Sequence, residues 1–327
     1  MAPFLIRRLL AGILTLLVAS LLLFLLVAVS SDPLASLRAN PHISPATIAA
    51  EAHQLGLDRP LLVRYFDWLG NMLQGNFGTS TTGQPIGAEL GSRLLVTLQM
   101  VLPATILSII AGVLLGVISA VRQYTPVDHV LTAVAYLFYS TPVFVVAILL
   151  KDFLALKLNA AVGHTVLYTI GENTPGTTGA WPVFTNALGH TVLPVLTLVL
   201  ITYAGWSRYQ RAAMLDVLNA DYVRFARAKG LSPRRVLYVH ALRNALIPVV
   251  TVIALDFAAI LGGAVITEIA FGWNGMGQFL LQGLTGPISP DTGVVQAWLM
   301  VAATAVIVFN ILADVLYAAL DPRIRLA

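Results

Sequence analysis

The chain has 327 residues, of which 58% are hydrophobic and only 10% charged, with a net charge of +4, six histidines and no cysteine. Soluble domains carry about 25% charged residues, so this composition, with a mean hydropathy of +0.84, marks an integral membrane protein. Without cysteine there are no disulfides, thiolate metal sites or cysteine nucleophiles, and the basic surplus flanks apolar runs, where it reads as a topology signal and not as a nucleic-acid surface.

In chain order, Arg7 and Arg8 precede a charge-free run from Leu9 to Ser31. That run exceeds a signal-peptide core of roughly 7–15 residues and is long enough to cross a bilayer, so residues 1–31 are expected to form an uncleaved first span. Residues 32–93 are mixed in character and form an extracytoplasmic segment with amphipathic helices, starting at Ser44-Pro45 and at Asp58-Arg59-Pro60. In the second of these, Leu61, Leu62, Tyr65, Leu69, Met72 and Leu73 recur at helical spacing, giving a face that packs on the spans or lies at the lipid surface beside Trp68.

Residues 94–327 hold five further spans and form one core domain. The second span runs from Leu94 to Val121, the third from Val130 to Leu150 ahead of Lys151, Asp152 and Lys157, and the fourth from about Thr191 to Ser207. The fifth covers Asn244 to Thr267, and the sixth Thr292 to Ala313. Prolines 103, 142, 194 and 248 each interrupt a span, a break tolerated where neighbouring helices satisfy the freed carbonyls. Glycine-rich loops follow the third and fifth spans on the outer face. Thirteen of the 19 basic residues fall on one side of this arrangement, so both termini are expected in the cytoplasm. The expected fold is an all-α bundle of six transmembrane helices.

Between the fourth and fifth spans lies a charged island at residues 219–231, Asp221-Tyr-Val-Arg-Phe-Ala-Arg-Ala-Lys-Gly230, followed by His240, Arg243 and Asn244. Asn219 or Asp221 can cap a short helix, Phe225 with Ala226 and Ala228 supplies a small apolar face, and Gly230 terminates it. A short basic helix held between two spans is shaped like a handle.

The order Asp221, Tyr222, Val223, Arg224, Ala226, Arg227, Ala228, Lys229, Gly230 and then His240, Arg243, Asn244, Ala245 and Pro248 resembles the loop by which permease subunits of bacterial ATP-binding-cassette (ABC) dipeptide and oligopeptide importers grip their ATPases. The resemblance extends over most of the chain. It takes in Gly75-Asn-Phe-Gly-Thr-Ser80, Ser140-Thr-Pro-Val-Phe144, Leu193-Pro194, Gly262-Gly-Ala-Val265 with Glu268 and Phe271, and Asp321-Pro-Arg-Ile324. It implies a coupling helix made by Asp221, Tyr222, Arg224, Phe225, Ala226, Arg227, Ala228, Lys229 and Gly230, with His240, Arg243 and Asn244 in support. The implied partners are a homologous second permease, two ABC ATPase subunits that hold ATP and Mg, an extracytoplasmic peptide-binding protein and a peptide substrate, in a bacterial cytoplasmic membrane. The chain departs from the family pattern at Asn274-Gly-Met-Gly277, at Pro287-Ile-Ser-Pro-Asp291 and in the loop after the third span, all on the outer face where substrate is handed over.

No catalytic set accompanies this pattern. The only lysines, 151, 157 and 229, do not follow glycine, so there is no phosphate-cradling G-x-x-x-x-G-K-[ST], and the chain itself is not expected to hydrolyse ATP. The histidines are scattered, and the role expected for His240 is a hydrogen bond orienting the handle. Asp256 stands near the middle of the fifth span, where an acid faces protein or water: it either bonds a neighbouring helix or lines the substrate path. Glu268, at the outer end of that span, is a second path candidate and reads more naturally as the anchor of an outer gate loop. The alternative is an ion-coupled secondary transporter with Asp256 and Glu268 as proton carriers, but the internal inverted repeat common in such carriers is not evident.

Overall fold

A backbone inside lipid has no water to bond, so long apolar runs close their own hydrogen bonds as helices. The computed structural model describes residues 2–30, 34, 37–38, 42–54, 56–285 and 290–320. Among these there is no strand, only an isolated bridge between Thr79 and Pro85. The helices are α1 (Ala2–Ser30), α2 (Pro45–Gln54), α3 (Leu61–Leu73), α4 (Ile86–Val121), α5 (Pro126–Ser140), α6 (Val143–Val162), α7 (Ala180–Leu218), α8 (Asp221–Ala228), α9 (Pro233–Phe271), α10 (Met276–Leu284) and α11 (Thr292–Leu320). Five of them, α1, α4, α7, α9 and α11, are long and apolar enough to cross a membrane, and α5 with α6 has that length and apolarity only as a pair, bent by 111° at the join. The join at residues 31–33, the Pro287-Ile-Ser stretch and the tail with Asp321–Ile324 and Arg325 lie outside the described residues.

The main core lies between α4, α7 and α9, where Val101, Leu193, Leu198, Trp206, Val249 and Phe257 meet. α1 is peripheral. It packs along α11, where Arg8 Nε lies 3.2 Å from Asp314 Oδ2. It is also pinned by α3, whose Tyr65 hydroxyl lies 2.9 Å from Ser20 Oγ, with the Tyr65 and Trp68 rings against Phe24. Thus α3 does pack on a span through Tyr65 and Trp68, while Leu62, Phe66 and Leu73 stay exposed.

Several expectations change. Only Pro142 breaks a helix; Pro103, Pro194 and Pro248 lie inside α4, α7 and α9. At the break Thr141 is extended (φ −89°, ψ 128°), the conformation favoured before proline, and its hydroxyl donates to the Leu137 carbonyl at 2.6 Å. The single third span is therefore two helices. Lys151 does not end its helix either, because the backbone widens into a π-turn at Leu150–Leu156 that lets the ammonium reach the Ala270 carbonyl and sit 4.7 Å from the Phe271 ring. Ser44 caps α2, accepting from Thr47 N–H at 3.2 Å, whereas Asp58 does not cap α3. It lies 2.8 Å from His53 Nδ1, and that hydrogen bond holds its carboxyl below the usual carboxylate range. The loop after α9 contains α10, whose Met276 and Phe279 pack with Ile86 and Val294.

Candidate functional site

The handle forms, with a different seat from the one expected. Asn219 ends α7, its amide donating to the Leu215 carbonyl at 3.0 Å, and the cap of α8 is Ala220, with no side chain capping it. Asp221 is instead the first helical residue, where a carboxylate favours the positive end of the helix, 3.8 Å from Arg224. At the other end Gly230 has φ +76°. Its N–H donates to the Arg227 carbonyl at 2.9 Å and the Leu231 N–H to that of Ala226 at 3.4 Å, the paired closure of a Schellman motif.

The apolar seat is Val223 and Ala226, three residues apart on one face and 0% and 6% exposed. They pack with Val117 and Ala120 of α4, Met214 of α7, and Val236, Ala241 and Ala245 of α9. Phe225 and Ala228 lie off that face, so the expected pairing of Phe225 with Ala226 and Ala228 is corrected: Phe225 is 68% exposed and Tyr222 44%. With Lys229 they form one outward stripe at positions i, i+3 and i+7. Arg224 and Arg227 are also exposed.

The chain returns along α9 through a second π-turn, Val236–Leu242. It turns Val236 and Ala241 inward and leaves the His240 ring half-exposed, without a hydrogen bond among the described residues. His240 therefore does not orient the handle by its ring; its carbonyl accepts from the Asn244 amide at 2.8 Å. Arg243 and Asn244 are exposed beside it.

The expected residues divide into separate places. Asp256 is half-buried midway along α9, and its Oδ2 accepts from Trp206 Nε1 of α7 at 3.0 Å. Glu268 is twelve residues on, about 18 Å along the helix, and is fully buried. Its Oε1 accepts from the Thr97 hydroxyl at 2.5 Å and its Oε2 from Gly277 N–H at 2.6 Å. Thr97 Oγ1 in turn accepts from Met276 N–H at 2.8 Å, and Trp298 Nε1 donates to the Met276 carbonyl at 2.7 Å. Glu268 thus fastens the segment between α9 and α10. A side chain at Gly275 would place Cβ 2.3 Å from Glu268 Oε1, and one at Gly277 would place it 2.6 Å from Val265 Cα. Both glycines of Asn274-Gly-Met-Gly277 are thus demanded by the carboxylate and by α9. Asn274 contributes its carbonyl, which accepts from Arg93 at 3.1 Å. At the second departure Asp291 accepts from Val294 N–H at 3.1 Å, at the start of α11, and from Thr81 N–H at 2.5 Å.

One cluster escaped sequence reasoning. Arg211 of α7 holds Asp128 of α5 in a bidentate pair, Nε to Oδ1 at 2.9 Å and Nη2 to Oδ2 at 2.8 Å. Ser119 Oγ also donates to Asp128, as does Tyr124 N–H at 2.9 Å, with Tyr124 itself at φ +63°. The local signal was only that Arg122 and Asp128 bracket a short turn. The partner of Asp128 stands 83 residues away.

A bundle of long apolar helices that carries a short outward-facing helix between two of them has the form of a membrane transport component. Residues 1–108 match the N-terminal part, and residues 112–326 the main part, of the binding-protein-dependent transport system inner membrane component, and the chain belongs to that family. It is 45% identical, over all of both chains, to the oligopeptide transport system permease protein OppB of Mycobacterium tuberculosis. It is 38% identical to the oligopeptide permease protein AppB of Bacillus subtilis over 99% of this chain and 100% of that one, and 37% to the di/tripeptide permease protein DppB of Pseudomonas aeruginosa over 99% of each. The inward-facing MetNI methionine ABC transporter shares the fold, with a TM-score of 0.56 at 17% identity over 72% of this chain and 98% of that one.

Proposed function

We propose that this chain is the permease subunit of an ABC importer that carries di- and oligopeptides across the cytoplasmic membrane, with α8 as the helix gripped by an ATPase. The observation that carries the reading is the two-sidedness of α8: Val223 and Ala226 key it into α4, α7 and α9, while Tyr222, Phe225 and Lys229 face away from the protein. A force applied to the outward stripe moves the seat, and the seat belongs to three long helices, α4, α7 and α9. ATP and Mg then reside on two separate ATPase subunits. A homologous second permease completes the path and an extracytoplasmic binding protein delivers the peptide; the names of the relatives and the positions of Arg7, Arg8, Arg122 and the α8 arginines support that orientation, with both termini and α8 in the cytoplasm.

Asp256 serves as a path residue in this reading, since one carboxylate oxygen is held by Trp206 and the group remains half-exposed. Glu268 is enclosed and acts by fixing its loop. The two acids are too far apart, and Glu268 too thoroughly bonded, to relay protons as the ion-coupled alternative requires.

Gly230→Val tests the coupling role. No atom lies within 4 Å of where its Cβ would stand, so the strain comes from φ +76° alone and falls on the end of α8. In vesicles holding the full complex, the variant is expected to bind loaded binding protein normally. Its stimulation of ATP hydrolysis by that protein is expected to fall about tenfold or more, the ratio that corresponds to about 1.4 kcal/mol. Wild-type stimulation and uptake would remove α8 from the coupling role, and proton-driven uptake by the purified chain alone would put the ion-coupled reading in its place.

A further inference from the structure

Two arginines one turn apart on α7 meet opposite surroundings. Arg211 is neutralised by Asp128 in the bidentate pair. Arg208 has no carboxylate within salt-bridge distance among the described residues; its guanidinium lies 4.2 Å from the centre of the Tyr136 ring and 4.8 Å from that of Tyr139, both on α5. It borders a cavity of about 370 Å³ between α4, α5 and α7, into which Tyr203, Ser207 and Thr132 also project. Arg208 stands just past the apolar run that ends at Ser207, about 15 Å from the α8 end of its helix, in a stretch that also carries Gln210, Arg211 and Asp216.

We propose that Arg208, seated between Tyr136 and Tyr139, is a transit site for the C-terminal carboxylate of the transported peptide. The inference rests on the peptide-importer reading above and names the part of the substrate that this cavity handles. Peptides of different sequence share only their backbone and their two charged ends, so a passage indifferent to side chains has only those features to hold. A planar guanidinium matches a carboxylate by two parallel hydrogen bonds, and stacking on tyrosine faces fixes its plane without using its N–H donors. The same stacking leaves the positive charge uncompensated, so an arriving carboxylate gains attraction that it would not find at Arg211. The cavity is open on one side, which suits a site that must release what it binds. Asp128, by tying Arg211 to α5, holds α5 and α7 at the spacing that keeps both tyrosines on Arg208.

The test uses the full complex in lipid vesicles, with trialanine and its C-terminal amide as probes, each first shown by mass spectrometry to be loaded on the binding protein. Arg208→Gln is expected to lower uptake of trialanine about tenfold, the weight of one charge-assisted pair, and uptake of the amide less than twofold. Arg208→Lys, which keeps the charge but not the planar fork or its stacking, is expected to fall between the wild type and Arg208→Gln for trialanine. If Arg208→Gln does not assemble, the paired change Tyr136→Leu and Tyr139→Leu, which unseats the guanidinium and leaves the charge, should reduce trialanine uptake selectively. Equal losses for the two peptides would overturn the proposal, and would assign Arg208 to a lipid headgroup if the loss varies with the anionic lipid content of the vesicles, or to an acidic group of a partner subunit if it does not. No loss for either peptide overturns it as well. A wild-type complex that takes up neither probe would sink the peptide reading itself, an outcome visible before any variant is made.

Discussion

At one end of α9 a carboxylate is enclosed on all sides and both of its oxygens are bonded to other elements, while at the other end a helix is held by valine and alanine alone. Glu268 makes a directional joint. Thr97, Gly277 and Gly275 fit it in one arrangement, and displacement of the α9–α10 segment leaves buried donors without acceptors. The α8 seat is non-directional: small apolar side chains sliding over one another lose little as long as water stays out. The chain places these two kinds of joint about 48 Å apart, from Val236 to Glu268, on a single helix, and the proposed coupling role of α8 would need the second kind.

The largest expected effect is at the directional joint. Glu268→Ala strands the Thr97 hydroxyl and the Gly277 N–H, each at about 1–3 kcal/mol, and should lower the midpoint of thermal unfolding in detergent more than any other single change discussed. If the midpoint holds, water or a neighbouring group replaces the carboxylate and the contrast between the ends collapses. Val223→Ala removes two buried methyl groups, roughly 1–2 kcal/mol, and should act locally: faster hydrogen exchange over residues 221–230 with a nearly unchanged unfolding midpoint. A global loss equal to that of Glu268→Ala would make the α8 seat part of the rigid core. The smallest effect on stability, within about 0.5 kcal/mol, is expected for Asp256→Asn, because the amide oxygen still accepts from Trp206. Uptake should nonetheless fall several-fold with assembly intact, and unchanged uptake would take Asp256 off the path.

What could be read from the residues was whatever is local. The apolar runs, the island from Asp221 to Gly230 and its termination at Gly230 are written in consecutive positions, and Gly230 does adopt the left-handed conformation. Glu268, read as the anchor of an outer loop, bonds Thr97 and Gly277. What escaped depends on contacts distant in sequence or on small changes of helical pitch. Asp128 acquires its meaning from Arg211, and no pattern of apolar spacing announces the π-turns at Leu150–Leu156 and Val236–Leu242. The face of α8 was misjudged because Phe225 is the largest apolar residue of the segment. Size suggested burial, whereas the seat on α4, α7 and α9 takes Val223 and Ala226.

The first and last long helices lie side by side, with Arg8 paired to Asp314 across 306 positions of chain. During synthesis α1 leaves the ribosome first, yet the helix it packs along is made last. Until α11 is inserted, α1 lacks that neighbour and rests on the Tyr65 and Trp68 contacts of α3. Closure of the bundle is therefore a late step in biogenesis, and a ribosome stalled before α11 should leave α1 open to membrane chaperones and proteases.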